Sequence, residues 1–182
     1  MVALPGMHVA VTAVGADRPG IASAVAKVLF EHGGNIEDSR MAILGGHFSM
    51  MLIVALPDGA EPSTLERSLA SATEELGLIV VVRPVTEVAP EHAEGAEYVV
   101  SVYGADRPGI VFRISEALAG HRVNITDLAT RVVAGDPPVY VMLMEVTVPV
   151  GVEPDAVDRD LVTIASELSV DVSFHPLEAE TL

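Results

Sequence analysis

Gly15-Ala16-Asp17-Arg18-Pro19-Gly20-Ile21 recurs letter for letter as Gly104-Ala105-Asp106-Arg107-Pro108-Gly109-Ile110, 89 positions further on. On that offset Leu29 meets Leu118, His32 meets His121, Asn35 meets Asn124, Ile36 meets Ile125 and Asp38 meets Asp127. From Pro57 the offset becomes 92, and Pro57, Gly59, Pro62, Arg67, Leu69 and Pro84 meet Pro149, Gly151, Pro154, Arg159, Leu161 and Pro176. The extra residues fall between Arg131 and Tyr140, opposite the stretch from Ala42 to Phe48. Both stretches carry turn chemistry, Gly45-Gly46 and Gly135-Asp136-Pro137-Pro138. The chain is a duplication, and each copy is one structural unit. The composition predicts a first domain over 1–88, an acidic linker over 89–95, a second domain over 96–176 and a tail over 177–182.

Both copies parse alike. Val9, Val11 and Ala13 alternate with polar or small neighbours as in a strand, matched by Tyr98, Val100 and Val102. A helix follows, with Pro19 or Pro108 expected near its first position. Its apolar face is Ile21, Val25, Val28 and Leu29 in copy one, and Ile110, Ile114, Ala117 and Leu118 in copy two. Two strands come next, over about 35–44 and 48–56 in copy one. Phe48, Met50, Leu52, Val54 and Leu56 form a wholly apolar face, as do Tyr140, Met142, Met144, Val146 and Val148. A second helix repeats Leu65, Leu69, Ala72 and Leu76, matched by Val157, Leu161, Ile164 and Leu168. The last strand carries Leu78, Val80 and Val82, or Val170, Val172 and Phe174. The order βαββαβ predicts an α+β chain of two ferredoxin-like units in tandem, with helices on one sheet face.

Ile36 and Met41 are both apolar but an odd five residues apart. A bulge near Asp38 would turn both inward; a strand that begins after Asp38 explains the spacing equally well. The opposite sheet face differs between copies. Copy one shows Ala10, Thr12, Val14, Met51, Ile53, Ile79 and Val81, an apolar surface expected to pack against another sheet. Copy two shows Ser101, Glu145, Asp171 and Ser173 among its counterparts.

The 182 residues carry a net charge of −16 and no Cys. The acidic balance argues against direct nucleic-acid contact and against an anionic membrane surface. Disulfides, thiolate catalysis and Cys-ligated metals are excluded. The opening residues lack a basic region and an apolar core of signal length, so a cytoplasmic location is expected. The six His residues form no metal spacing, and no Walker loop, GxSxG or GxGxxG occurs. No catalytic residue, metal or cofactor is expected. His32 and His121 end equivalent helices, where imidazole meets the C-terminal dipole.

A strand that runs through Gly-Ala-Asp-Arg-Pro-Gly into a helix builds a small anion site. Gly20 lets a ligand approach the backbone. The amides near Gly20 and Ile21 sit at the positive end of the helix dipole and suit a carboxylate. Asp17 suits an ammonium group, and Asn35 offers donor and acceptor. Together these groups form the inventory for a free α-amino acid. The plain alternative is that Asp17 caps the helix and Pro-Gly shapes it.

Two βαββαβ units, each with an Asp-Arg-Pro-Gly-Ile loop and an Asn-Ile after the first helix, resemble tandem ACT domains. The stretch Asn35-Ile36-Glu37-Asp38-Ser39-Arg40-Met41-Ala42 is similar to that of the glycine cleavage repressor family. The resemblance covers about residues 7–88 and 95–176. It implies amino-acid binding at interfaces between paired ACT units, with glycine or serine favoured. The implied ligand positions are Asp17, Arg18, Pro19, Gly20, Ile21 and Asn35, and in copy two Asp106, Arg107, Pro108, Gly109, Ile110 and Asn124. It further implies a homo-oligomeric regulator that acts through a protein partner such as a transcriptional activator. Copy one has Glu37, Ser39 and Arg40 where copy two has Thr126, Leu128 and Ala129. Unequal sites are therefore expected, with copy one the better candidate.

Three other classes share the topology. An acylphosphatase-type enzyme would use Arg18 and Asn35, but Asp17 opposes a phosphate there. An RNA-recognition fold needs exposed aromatics and basic charge, and this chain has neither pattern. A structural dimerisation or scaffold module with vestigial ligand pockets is the remaining alternative.

Overall fold

The structure, a computed structural model, describes residues 7–85 and 94–177. Most of the expected linker, all but the first residue of the expected tail, and His92 lie outside the described residues. The chain divides into two compact units, Met1–Ala89 and Pro90–Leu182.

Unit one contains β1 (Met7–Ala16), α1 (Ile21–Glu31), β2 (Asn35–Leu44), β3 (His47–Leu56), α2 (Pro62–Thr73) and β4 (Ile79–Pro84). Unit two contains β5 (Gly95–Gly104), α3 (Ile110–Gly120), β6 (Asn124–Val133), β7 (Val139–Pro149), α4 (Pro154–Leu168) and β8 (Val170–Pro176). The sheets run β2-β3-β1-β4 and β6-β7-β5-β8, each pairing antiparallel throughout. Two split βαβ halves interleave, which is the expected ferredoxin-like plan.

Strand alternation places each core on one face. Val9, Val11 and Ala13 of β1 and Phe48, Met50, Leu52, Val54 and Leu56 of β3 are buried under α1 and α2. Val100, Val102, Tyr140, Met142, Met144, Val146 and Val148 repeat this in unit two. A fully buried leucine such as Leu69 contributes about 2 kcal/mol by removal from water.

The second helices differ slightly from the expected face. Leu65, Leu69 and Thr73 are the buried residues of α2, and Val157, Leu161 and Ala165 those of α4. Ala72 is exposed, and Leu76 lies beyond the helix end. Buried Thr73 is satisfied by donating its hydroxyl to the Leu69 carbonyl, 2.8 Å away. Both helices place Pro at the first turn, Pro62 and Pro154. The first helices do not. α1 begins at Ile21 with Gly20 as N-cap, so Pro19 stands one residue outside the helix, and Pro108 does the same before Gly109. Gly20 and Gly109 adopt φ 96°, a left-handed turn that only glycine enters cheaply, and this delays helix entry past the proline.

Strand β2 begins at Asn35, and its register shifts between Ile36 and Asp38, a bulge at Glu37. β6 repeats the shift between Ile125 and Asp127. The bulge turns Ile36 and Met41 towards one hollow beside Val25 of α1, although both remain largely exposed. Across the sheet, Val14, Met51 and Ile79 are 41, 54 and 71% exposed within unit one. Met51 thus lies on the open face, where strand alternation places it.

Candidate functional site

The loop between β1 and α1 leaves the sheet beside two other connections. The amide of Asp17 donates to the carbonyl of Gly46 in the β2–β3 turn, at 2.9 Å. Gly45 and Gly46 have φ 57° and 80°, so they form the tight turn that brings this carbonyl into reach. The Arg18 guanidinium donates to the Glu75 carbonyl just beyond α2, at 3.4 Å. A Cβ on Gly15 would lie 2.6 Å from Leu78 Cδ2 and 2.9 Å from the Gly77 carbonyl oxygen, so the path into the loop is closely packed.

The loop itself is open. Asp17, Arg18, Pro19 and Gly20 are exposed, and a Cβ on Gly20 would meet nothing within 4 Å. No side chain caps α1 or α3. Asp17 is therefore not a helix cap, and the first-turn amides keep their outward donors. Ile21 is buried beneath them and anchors the helix start to the core. Unit two repeats the arrangement with Asp106, Arg107, Pro108 and Gly109 exposed and Ile110 buried.

Asn35 does not join this loop. It pairs with Ala55, which pairs with His8 near the start of β1, whereas Asp17 follows the far end of β1. Asp17 stands nine positions after His8, or about 30 Å at 3.3 Å per residue. Asn124 is displaced likewise, paired to Thr147 and through it to Glu97. The cradle expected within each copy is thus split between opposite ends of its sheet, because α1 and α3 carry the chain back along the sheet before the next strand starts. Glu37, which suggested a richer site in copy one, has its carboxylate 3.0 Å from His8 Nε2, away from the loop. Arg18 and Asn35 cannot serve one phosphate for the same reason.

Larger hollows lie elsewhere in unit one. One of about 430 Å³ is lined by His32, Pro57, Asp58, Glu61 and Thr64, and another of about 440 Å³ by Glu31, His32, Arg67 and Ser71. Neither includes the Asp17 loop. His32 donates through Nδ1 to the Val28 carbonyl at 2.9 Å, as a C-terminal cap. His121 instead reaches Asp160 of α4 at 2.7 Å. Among the described residues no cluster of His, Asp or Glu could hold a metal ion, and no helix is long and apolar enough to cross a membrane.

Sequence reasoning placed Tyr140 simply in the core. Its ring is there, 7% exposed, but burial and then the Asp106 carboxylate raise its pKa above the ordinary value. The visible signal was Phe48 at the matching position, the same ring without the hydroxyl.

The ACT domain profile matches residues 7–83 and 97–175. The chain is 33% identical over 124 residues to the Glycine cleavage system transcriptional repressor of Escherichia coli (strain K12), a match covering 68% of this chain and 64% of that protein. It therefore spans just under two thirds of that relative's length. The crystal structure of an unknown protein from Galdieria sulphuraria superposes with a TM-score of 0.81 at 28% identity, over 94% of this chain and 99% of that one. A crystal structure of a candidate glycine cleavage system transcriptional repressor superposes with a TM-score of 0.68 at 22% identity, over 95% of this chain and 98% of that one, and has the same fold. With two matched copies that together span most of its length, the chain belongs to the ACT domain family.

Proposed function

We propose that this chain is an amino-acid-sensing regulatory protein of the glycine cleavage type. The loops Asp17–Ile21 and Asp106–Ile110 each grip one zwitterion, with glycine or serine favoured. The first-turn amides receive the carboxylate, and Asp17 or Asp106 receives the ammonium group. The family resemblance implies binding by paired ACT units and adds Asn35 and Asn124 to the ligand positions. The observation that carries this reading is the uncapped, solvent-open helix start behind a left-handed glycine, formed identically in both copies.

The regulator works in the cytoplasm as a homo-oligomer. Ligand binding shifts its affinity for a protein partner, such as a transcriptional activator, and partner and ligand alter each other's binding by equal factors. The net charge of −16 supports protein contact over direct DNA binding. The chain performs no catalysis and needs no cofactor.

Calorimetric titration of the full chain with glycine, serine and the other amino acids tests the reading. Heat with at least one amino acid is expected, abolished in the Asp17→Ala/Asp106→Ala double variant. No heat with any of them, at protein concentrations that detect millimolar binding, contradicts it.

A scaffold whose pockets are vestigial is the second reading. The exposed apolar face of Val14, Met51 and Ile79 favours it. On that reading, changes at Asp17 and Asn35 leave every ligand and partner response intact.

A further inference from the structure

We propose that Tyr140 sets the two loops apart, by placing a phenolic hydrogen-bond donor beside the second one for the carboxylate of a bound amino acid. The inference rests on the reading that these loops hold amino acids, and it names the residue that makes them unequal.

The loops share seven consecutive letters. Their N-caps also agree, Gly20 at φ 96°, ψ −10° and Gly109 at φ 96°, ψ −6°. Selectivity between them must come from what lies next to them. At the strand position paired with the glycine that opens each loop, the units differ by one oxygen. Phe48 stands opposite Gly15, and Tyr140 opposite Gly104. Both side chains are on the helix side of the sheet, 3 and 7% exposed.

Among the described residues Tyr140 has no hydrogen-bond partner, and no fully buried side-chain oxygen is left unsatisfied. The Tyr140 hydroxyl therefore reaches the surface while its ring stays in the core. Asp106 lies two residues beyond Gly104, and its negative charge is felt at the phenol. A phenol at its ordinary pKa of 10.0 already carries its proton at neutral pH, and burial and this carboxylate only raise that value, so the group is a donor.

The rest of the second loop is also freer. In unit one the Asp17 amide is engaged by Gly46 and the Arg18 guanidinium by Glu75. Among the described residues Arg107 has no corresponding bond. A carboxylate at the second loop can thus draw on helix amides, the Arg107 guanidinium and a phenol. At the first loop the ring of Phe48 offers no donor. This reverses the ranking expected from the residues around Asn35.

The test follows the amide resonances of Gly20 and Gly109 in the full chain during titration with glycine and then serine, so that each loop reports separately. Gly109 is expected to saturate at about tenfold lower ligand concentration than Gly20, the size of one hydrogen bond to a charged group. In Tyr140→Phe the second loop should weaken to match the first, and in Phe48→Tyr the first should tighten. Tyr140→Phe is expected to fold, because unit one already carries that ring in the same place. Unchanged second-loop affinity in Tyr140→Phe, with both loops still titrating, overturns this inference and leaves the sensing function standing. Resonances that move in neither loop, with any amino acid, overturn both.

Discussion

The amide of Asp17 is tied to the carbonyl of Gly46 across 2.9 Å, so the β1–α1 loop and the β2–β3 turn hold each other in place. The turn depends on Gly46 at φ 80°. Gly46→Ala forces a side chain into that left-handed conformation, at a cost of about 1 kcal/mol. We expect a drop of that order in the denaturation free energy of unit one, with faster hydrogen exchange at the Asp17 amide. Unchanged exchange would show that the loop is held by other means.

Two glycines of the same loop should respond to substitution for different reasons. A Cβ at Gly20 meets open space, so Gly20→Ala costs only backbone strain, about 1 kcal/mol. A Cβ at Gly15 collides with Leu78 and the Gly77 backbone, so Gly15→Ala should cost more, about 1–3 kcal/mol. Chemical denaturation that ranked Gly20→Ala as the costlier change would refute the packing of this corner.

Tyr140 makes the protein sensitive to alkali. Its folded-state pKa lies above the ordinary 10.0, because burial and Asp106 disfavour the phenolate. Between the unfolded and the folded pKa the native state binds more protons, so the contribution is complete below pH 10.0 and falls as pH rises through the folded value. Ultraviolet titration should find one of the three tyrosines ionising late. Tyr140→Phe should remove that step and flatten the loss of stability above pH 10. Persistence of the late step in Tyr140→Phe would assign it to another tyrosine.

The exposed face of the first sheet is the expected assembly surface. Met51→Glu and Ile79→Glu change residues that are 54 and 71% exposed within their unit. Each should alter the unit's intrinsic stability by less than about 0.5 kcal/mol. Sedimentation should nevertheless register a smaller species, since a charge cannot stay buried in an apolar contact. A mass identical to wild type would place the assembly contact elsewhere.

The repeat carried most of the fold. Alternation at Val9, Val11 and Ala13 and the unbroken face from Phe48 to Leu56 are backbone periodicities, and sequence displays these directly. The odd spacing of Ile36 and Met41 admitted a bulge and a later strand start equally, and the pairing of β2 with β3 decides for the bulge. The site was less legible because it depends on direction along the sheet. Asp17 and Asn35 are 18 positions apart, and nothing in that spacing says that α1 spends them at opposite ends. Pro19 looked like a first-turn proline because the left-handed geometry of Gly20, which pushes the helix start one residue on, is a tertiary choice. The hydroxyl of Tyr140 was hidden by its own ring, since one residue served both core and surface.

Whether these loops hold a free amino acid at the helix mouths is decided by crystal structures of the full chain soaked in saturating glycine and in saturating serine. The prediction is a zwitterion with its carboxylate on the amides near Gly109 and Ile110 and its ammonium group on Asp106, with the same pose at Gly20, Ile21 and Asp17 at higher concentration. Empty loops in both soaks, or an amino acid lodged instead in the hollow beside His32 and Asp58, would contradict it.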